Sequence, residues 1–396
     1  MMISQIKSAV TEIFPELRTI RRHLHAHPEL SYQEYETAKF VASELDKIGI
    51  PYHAGVADTG IVALIIGKNP DKKCIALRAD MDALPIHEAN DCAYKSQNDG
   101  VMHACGHDVH TTCLLGAAKI LHSLKDKFEG TIKLIFQPGE EKSPGGASLM
   151  INEGVLENPR PEAIFGLHVF PQLPAGNVGF RQGQYMASAD EIYITIKGKG
   201  GHAALPHETV DPIAITALII TGLQQIVSRK SNPLSPTVLT FGKITGGSAT
   251  NVIPDSVELM GTLRTFDETW RKQAKELIRT IATQIATAYG AEAIIDIPDG
   301  YPSLTNNPEL TARATSFAKD YLGDENVHQL EMRMGAEDFS FYTQHIKGCF
   351  FRIGTNTNNE HFLAPVHNAH FDIDESALIT GAGMMAYLGY SMLNQD

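Results

Sequence analysis

Residues 102–110 hold a dense set of side chains that can bind a divalent metal ion. The segment reads Met-His-Ala-Cys-Gly-His-Asp-Val-His. Neutral imidazole, thiolate and carboxylate are the groups that bind zinc and similar metals in proteins. The spacing of Cys105 and His107 allows both side chains to reach one metal centre. Two ligands do not make a site, however, and the alternative is a polar loop with one buried, unreactive cysteine.

Further candidate ligands occur where apolar, strand-like segments end. They are Asp80 and Asp82 after the apolar run 74–77, Glu140 and Glu141 after the predicted strand 131–136, and His168 after the predicted strand 163–167. Helical patterns separate these strands, and a parallel sheet would bring their carboxyl ends together along one edge. Adjacent glutamates after a buried strand are costly unless their charges are compensated, as a metal would do. Near the end of the chain, His367 or His370 could supply one more ligand.

The candidate ligands indicate two metal ions rather than one. They comprise Cys105, His107, Glu141, His168 and His367. A structural zinc site is closed by four ligands, so five ligands with more carboxylates beside them favour two ions with positions open to water. Two such ions can activate water and polarise a carbonyl, and Glu140 is then free to act as general base. The sequence therefore predicts metal-assisted hydrolysis of an amide.

The elements that must position these residues predict an α/β fold. We expect a catalytic domain with a mainly parallel sheet and helices on both faces, formed by residues 1–186 and 299–396. Between these parts, residues 187–298 show the order β-α-β-β-α-β of a ferredoxin-like sandwich. This segment is predicted to be a smaller, inserted α+β lid domain.

Several local signals mark individual helices. Ser31 and Glu34 are spaced as a capping box for a helix that ends at Gly49. Asp211 and Asp267 are predicted to cap the two helices of the inserted domain. In the helix that follows the metal-binding segment, Cys113 lies on the apolar face and is expected to be core packing.

Composition limits the class of partner. The chain has 396 residues, of which 43% are hydrophobic and 20% charged, as expected for a soluble globular protein with two domains. A formal net charge of −13 argues against nucleic acid or an anionic membrane as the main partner. Five cysteines without disulfide-framework spacing favour a reducing, cytoplasmic setting. We expect no signal peptide and no membrane span.

Motifs in a fixed order along nearly the whole chain point to one enzyme family. They include Arg-Ala-Asp-Met-Asp-Ala-Leu-Pro at 78–85, Gln-Pro-Gly-Glu-Glu at 137–141, Gly-Leu-His at 166–168, Gly-Lys-Gly-Gly-His-Ala-Ala at 198–204, Asn-Val-Ile-Pro at 251–254 and Gly-Thr-Leu-Arg at 261–264. In these motifs the chain resembles the metal-dependent aminoacylase and carboxypeptidase family. The similar branch contains hippurate hydrolases, indoleacetyl-amino-acid hydrolases and N-acetyl-diaminopimelate deacetylases.

The resemblance implies a role for each matching residue. The metal ligands are Cys105, His107, Glu141, His168 and His367. Glu140 is the general base, and Asp82 orients one of the metal ligands. In other branches of the family, a ligand histidine stands where this chain has Asp80. The branch usually shows proline where this chain has Ala369, which leaves His370 as a minor alternative to His367.

The inserted domain carries the implied substrate-binding residues. His202 resembles the histidine that polarises the scissile carbonyl, and Asn251 and Arg264 resemble groups that hold the substrate carboxylate. The lid domain is also implied to form a homodimer, in which His202 acts on the partner's site.

These features together predict a cytoplasmic, dinuclear metal amidohydrolase. It would cleave N-acyl amino acids, or short peptides, to a carboxylate and a free amino acid, using zinc, manganese, cobalt or nickel. A dipeptidase or metallo-carboxypeptidase on the same site is the nearest alternative. A non-catalytic metal-binding protein is disfavoured by the presence of Glu140. A nucleotide-binding oxidoreductase is disfavoured because the first strands lack a Gly-x-Gly-x-x-Gly turn.

Overall fold

The computed structural model of the protein describes residues 2–357 and 360–394. Its helices are α1 Met2–Ala26, α2 Tyr35–Ile48, α3 His107–Ser123, α4 Gly146–Asn152, α5 Pro212–Gln225, α6 Glu268–Ala288, α7 Pro308–Leu322, α8 Ser340–Thr343 and α9 Ala377–Asn394. Its strands are β1 Tyr52–Val56, β2 Gly60–Ile66, β3 Cys74–Asp80, β4 Thr131–Gln137, β5 Ala163–Pro174, β6 Val178–Phe180, β7 Gly183–Met186, β8 Asp190–Lys197, β9 Gly201–His202, β10 Thr237–Thr245, β11 Val252–Ile253, β12 Ser256–Thr265, β13 Glu292–Asp296, β14 Leu304–Asn306, β15 Val327–Gln329 and β16 Lys347–Asn356.

The chain divides into two compact units. The large unit comprises residues 1–183, 305–331 and 338–396, and the small unit comprises residues 184–304 and 332–337. The small unit is therefore inserted in the sequence of the large one. The domain boundaries predicted from the sequence, with an inserted domain at 187–298, stay a prediction. The role of this domain as a lid is a proposal.

An eight-stranded sheet forms the centre of the large unit. Its strand order is β1-β2-β4-β3-β5-β16-β6-β15. The four central strands β4, β3, β5 and β16 run parallel to one another, and antiparallel pairs occur towards the edges. Every residue of β3 and β4 is buried, as expected for strands covered on both faces. The prediction of an α/β fold with a mainly parallel sheet is confirmed.

The register of the central strands determines which candidate ligands lie side by side at the edge of the sheet. Asp80 pairs with Gln137 at the ends of β3 and β4, and Glu140 follows three residues later. Arg78 pairs with Gly166 of β5, so His168 lies two residues further along, level with Asp80. The sequence interpretation was wrong about the end of this strand. β5 continues through His168 to Pro174 because β16 remains its partner, with a register shift after Gly354.

The helix predicted to start with a capping box is present, but the box is not. Helix α2 begins at Tyr35 and its N-cap residue, Glu34, makes no side-chain capping hydrogen bond. The Ser31 hydroxyl instead donates to Asp82 Oδ2 at 2.6 Å. The predicted end is correct, since Gly49 adopts a left-handed conformation with φ of 81°.

Helix α3 starts within the candidate metal-binding segment 102–110 and is buried on nearly all sides. Its N-cap residue is Gly106, and its first residue is His107. Cys113 is fully buried in the apolar core of the large unit, so its prediction as a packing residue is confirmed.

The small unit is a ferredoxin-like sandwich. Its antiparallel sheet has the order β10-β12-β8-β13, and α5 and α6 connect its strands in the predicted β-α-β-β-α-β sequence. The Asp211 side chain accepts from the amides of Ile213 and Ala214, and Asp267 caps α6 in the same way. Both predicted caps are confirmed.

One helical stretch in the small unit, residues 212–230, meets the length and composition of a membrane span. Its residues Ile215, Ile219 and Leu223 pack in the core of the small unit. A single helix of this kind is weak evidence for a span, because the core helices of globular proteins share these properties.

Candidate metal centre and active site

The structure brings all five predicted ligands together in the large unit. Cys105 and His107 lie at the start of α3, and Glu141 follows β4. His168 lies within β5, and His367 lies in the loop before α9. Three overlapping groups have ligand atoms within 4.8 Å of one another: Cys105 with His107 and His168, Cys105 with Glu141 and His367, and His107 with Glu140 and Glu141. Shared members join these groups into one ligand cluster.

The distances within the ligand cluster are short. Cys105 Sγ lies 3.4 Å from His168 Nε2, and His367 Nε2 lies 3.2 Å from Glu141 Oε1. His107 Nε2 is 3.9 Å from the same glutamate oxygen. Donor atoms of three chemical types therefore face one small volume.

A divalent cation fits this ligand cluster. Within the described parts of the chain, His107 Nε2 is buried and has no hydrogen-bond partner. A buried polar atom without a partner is costly, and a metal ion would remove that cost. Nitrogen, sulfur and oxygen donors together suit zinc and neighbouring transition metals.

The ring of His168 is fixed in the form that a metal ligand needs. Its Nδ1–H donates to the carbonyl oxygen of Val169 at 2.8 Å, so the lone pair of Nε2 faces Cys105. Burial, followed by the charge of Arg352, holds the pKa of His168 well below its ordinary value. The imidazole is therefore neutral at physiological pH, as metal coordination requires.

Asp82 connects three parts of the site. Its Oδ1 accepts from His107 Nδ1 at 3.1 Å, and its Oδ2 accepts from Ser31 Oγ and from the amide of Glu141 at 3.0 Å. Burial raises the pKa of Asp82, but the hydrogen bonds from His107, Ser31 and Glu141 and the charge of His107 outweigh burial and lower it. Asp82 is therefore an ionised carboxylate that fixes the ring orientation of His107, one of the predicted ligands.

Two of the predicted ligands, His107 and Cys105, have pKa values raised well above their ordinary values in the metal-free protein. Burial lowers the pKa of His107, yet Asp80, Asp82 and Glu141 outweigh this effect and raise it to about 10. Burial and the nearby Glu141 carboxylate raise the pKa of Cys105 well above its ordinary value. Both protons must leave before a metal ion can bind these atoms.

Asp80 serves a buried network beside the ligand cluster. It accepts from His110 Nδ1 at 2.6 Å and from Arg78 Nη1 at 2.6 Å. His110 Nε2 in turn accepts from the amide of Val169 at 2.9 Å, which ties α3 to β5. The sequence interpretation assigned no role to Arg78 or His110, although their position in the two richest motifs was a usable signal.

Glu140 is buried next to the ligand cluster and contacts a residue far along the chain. The amide of Asp338 donates to Glu140 Oε1 at 3.4 Å. The Asp338 carboxylate is held by Arg78 at 2.8 Å and by Gln137 at 2.8 Å. Asp338 was not among the residues predicted from the sequence, because its partners lie in distant segments.

The loop before α9 places His367 in the ligand cluster, whereas His370 lies outside this cluster. The His367 amide donates to the Ala104 carbonyl oxygen at 2.8 Å, which fixes the loop beside Cys105. His370 is exposed and, among the residues described, belongs to none of the ligand groups. The Ala369 carbonyl oxygen accepts from the amide of Ala89 at 2.9 Å, so this loop is anchored without the usual proline.

The predicted substrate-binding residues all lie in the small unit. His202 of β9 pairs with Val252 of β11, and the Ala203 amide donates to the Asn251 carbonyl oxygen at 3.1 Å. This two-stranded ribbon therefore brings exposed His202 and Asn251 together. Arg264 lies on another element, β12, where its Nε donates to Thr262 Oγ1 at 3.1 Å.

Comparison with known proteins decides the family. Residues 76–390 match Peptidase family M20/M25/M40. The chain belongs to this family. It is 41% identical to thermostable carboxypeptidase 2 of Saccharolobus solfataricus over 100% of both chains. It is 42% identical to N-acetyl-L-cysteine deacetylase of Bacillus subtilis, over 92% of this chain and 85% of the relative.

The family is also apparent in a solved structure. Bacillus subtilis YXEP protein, a dinuclear metal binding peptidase from the M20 family, is 36% identical with a TM-score of 0.83. The comparison covers 98% of this chain and 100% of YXEP. The predictions of the family, of a metal-dependent hydrolase acting on amide bonds and of divalent metal ions as cofactors are confirmed. The role of each site residue in this M20 member stays a prediction.

Proposed function

We propose that this protein is a dinuclear metal amidohydrolase that cleaves N-acyl amino acids to a carboxylate and a free amino acid. The observation that carries this proposal is the ligand cluster, in which Cys105, His107 and His168 are buried, with buried Glu140 beside it. Five donors of mixed type and an additional carboxylate exceed what a closed structural site needs. A hydrolase needs such an extra group to move protons.

The ligand groups support two ions. Cys105 belongs both to a group with His107 and His168 and to a group with Glu141 and His367. We assign these five residues as the ligands, with zinc, manganese, cobalt or nickel as the ions. When bound, the ions supply Lewis acidity and lower the pKa of water.

The protein's own residues then supply proton transfer and orientation. Glu140 accepts a proton from the attacking water and delivers it to the leaving nitrogen. The amide of Asp338 restrains Glu140, and Asp82 holds the ring of His107. In the lid, His202 polarises the substrate carbonyl.

The substrate carboxylate is assigned to Asn251 and Arg264. A guanidinium binds a carboxylate through two parallel hydrogen bonds, which suits it to this role. Burial lowers the pKa of Arg264 from its ordinary value, but this side chain stays cationic at any physiological pH.

Names of relatives support acyl amino acids as the substrate class. One relative is the N-acetyl-L-cysteine deacetylase already described, and another is IAA-amino acid hydrolase ILR1-like 4 of Arabidopsis thaliana, 42% identical over 95% of this chain. The carboxypeptidase relative favours the second candidate, a dipeptidase or metallo-carboxypeptidase on the same site.

The remaining proposals concern the oligomeric state of the protein, its cellular compartment and the class of its partners. We assign the small unit as a lid that forms a homodimer, because its edge strands β10 and β13 can pair with a second copy. The five cysteines are free, which supports a reducing, cytoplasmic setting. The net charge of −13 supports a small-molecule substrate rather than nucleic acid or a membrane.

A substrate panel tests the proposed function. Purified protein, loaded in turn with each candidate metal, is assayed for release of free amine from N-acetyl, N-benzoyl and N-indoleacetyl amino acids and from dipeptides. We expect the highest kcat/KM on an acyl amino acid, and a kcat lower by about two to four orders of magnitude in the Glu140→Gln variant. Preference for dipeptides would establish the second candidate, and no release from either class would contradict both.

A further inference from the structure

Residues 31–34, between α1 and α2, contact the loop that carries Glu140 and Glu141. We call residues 31–34 the brace and residues 138–145 the acid loop. The brace runs beside Asp82, because Leu30 forms a parallel bridge with Ala83. Tyr32 and Glu34 contact the acid loop directly on either side of the two glutamates, and Ser31 reaches it through Asp82.

Tyr32 closes the acid loop from one end. Its Oη donates to the Lys142 carbonyl oxygen at 2.6 Å and accepts from the Gly145 amide at 3.0 Å. Its ring packs on Gly139, where an added Cβ would lie only 2.2 Å from the ring. Tyr32 itself has φ of 67°, a left-handed conformation that is uncommon outside glycine and is frequent at functional sites.

Glu34 holds the other end of the acid loop. Its Oε1 accepts from the amide of Gly139 at 2.8 Å, one residue before Glu140, and from the amide of Tyr32 at 3.0 Å. Its Oε2 accepts from Thr59 Oγ1 at 2.8 Å. The side chain is fully buried, so these hydrogen bonds are shielded from water.

Ser31 acts on the middle of the acid loop through Asp82. Its hydroxyl donates to Asp82 Oδ2, and the same oxygen accepts from the Glu141 amide. The backbone is thus held just before Glu140, at Glu141 and just after it. Helix stability does not explain these contacts, because neither Ser31 nor Glu34 makes a capping hydrogen bond to α2.

We infer that the brace positions the acid loop, so that Glu141 meets the metal and Glu140 meets the reacting water. Tyr32 and Glu34 are then positioning residues that act through the two glutamates. The part concerning Glu140 rests on the proposed function, whereas the part concerning Glu141 rests on metal binding alone.

The test removes one hydroxyl and measures zinc affinity and turnover. Tyr32→Phe keeps the ring and deletes both Oη hydrogen bonds. Tyr35→Phe is the matched control, because the exposed Tyr35 Oη bonds only to Asp58 among the residues described, at 2.7 Å. We expect Tyr32→Phe to weaken Zn²⁺ binding, measured by competition with a chelating dye, by about tenfold. Tyr35→Phe should bind like the wild type.

Turnover is measured at saturating Zn²⁺ on the acyl amino acid that the wild type hydrolyses fastest. Tyr32→Phe should lower kcat more than it changes KM, and it should cause no further loss in a Glu140→Gln background. Glu34→Gln, which keeps an acceptor oxygen, should retain more zinc affinity than Glu34→Ala.

Two results would overturn the inference. The first is a Tyr32→Phe variant that binds Zn²⁺ as tightly as the wild type. That result would hold even if the melting temperature of the variant fell, because a tyrosine with only a structural role changes stability and not zinc affinity. The other is a kcat loss that adds fully to that of Glu140→Gln. If the wild type hydrolyses no amide, the proposed function fails, but the zinc measurement still decides whether the brace positions Glu141.

Discussion

The Asp82 carboxylate lies 3.1 Å from Nδ1 of His107, while the other ring nitrogen, Nε2, lies 3.9 Å from Glu141 Oε1. This arrangement fixes the ring orientation and makes the imidazole a stronger ligand. The side chains of Asp82 and His107 are both buried, so solvent cannot replace this contact. Orientation by Asp82 is therefore a property of the folded chain before any metal binds.

Replacing this carboxylate should weaken metal binding. Asp82→Asn keeps the shape of the side chain but loses the charge opposite His107. We expect the zinc dissociation constant to rise by about 10- to 100-fold, measured by dye competition. Asp58→Asn, which alters a carboxylate on the surface near Tyr35, serves as the control. Equal affinities in wild type and Asp82→Asn would show that Asp82 does not orient a ligand.

Metal binding should release protons and become tighter as pH rises. The pKa of His107 is raised to about 10 and that of Cys105 is raised well above its ordinary value, so both are protonated at pH 7 in the metal-free protein. A metal ion must displace both protons, and raising the pH lowers their competition. Calorimetry in buffers of different ionisation enthalpy should show release of about two to three protons per protein at pH 7, because the hydrogen bond with Glu141 also raises the pKa of His367.

The Cys105→Ser variant isolates one of these protons. It should release about one proton fewer than the wild type, because a serine hydroxyl does not ionise in this range. Cys113→Ser is the control, since that thiol lies in the core. Proton release that is unchanged in Cys105→Ser would remove Cys105 from the ligand set.

The lid histidine can be tested by mixing two inactive variants. If His202 serves the partner's site, Glu140→Gln and His202→Ala refolded together form dimers with one intact site. With random pairing, about half the dimers are mixed, so roughly a quarter of wild-type activity should return. No recovery from a verified mixed dimer would reject action across the interface, and a monomer in sedimentation would remove its premise.

Much of the fold and the candidate ligand set follow from residue order along the chain. Helix α2 ends at the predicted residue, Gly49, and the candidate ligands lie close together because parallel strands align their carboxyl ends. Predictions from the sequence are correct where the local residue pattern and the sheet topology agree. Such predictions need no knowledge of side-chain packing.

Contacts between distant segments account for what the sequence did not predict. Arg78 and Asp338 are 260 residues apart, and Glu34 and Gly139 are 105 residues apart. Ser31 has the local signature of a helix cap, yet its hydroxyl bonds to Asp82 because a buried carboxylate competes for it. Strand β5 runs past its predicted end at residue 167, because β16 stays paired with it through a shifted register after Gly354.

Variants of the adjacent residues Glu140 and Glu141 test the proposed base and ligand separately. Metal content and kcat are measured for Glu140→Gln and Glu141→Gln on the best acyl amino acid. We expect Glu140→Gln to keep its metal and lose about two to four orders of magnitude in kcat, as for loss of a general base. Glu141→Gln should instead lose metal affinity. Equal metal loss in both variants, or full activity in Glu140→Gln, would contradict the assignment of base and ligand.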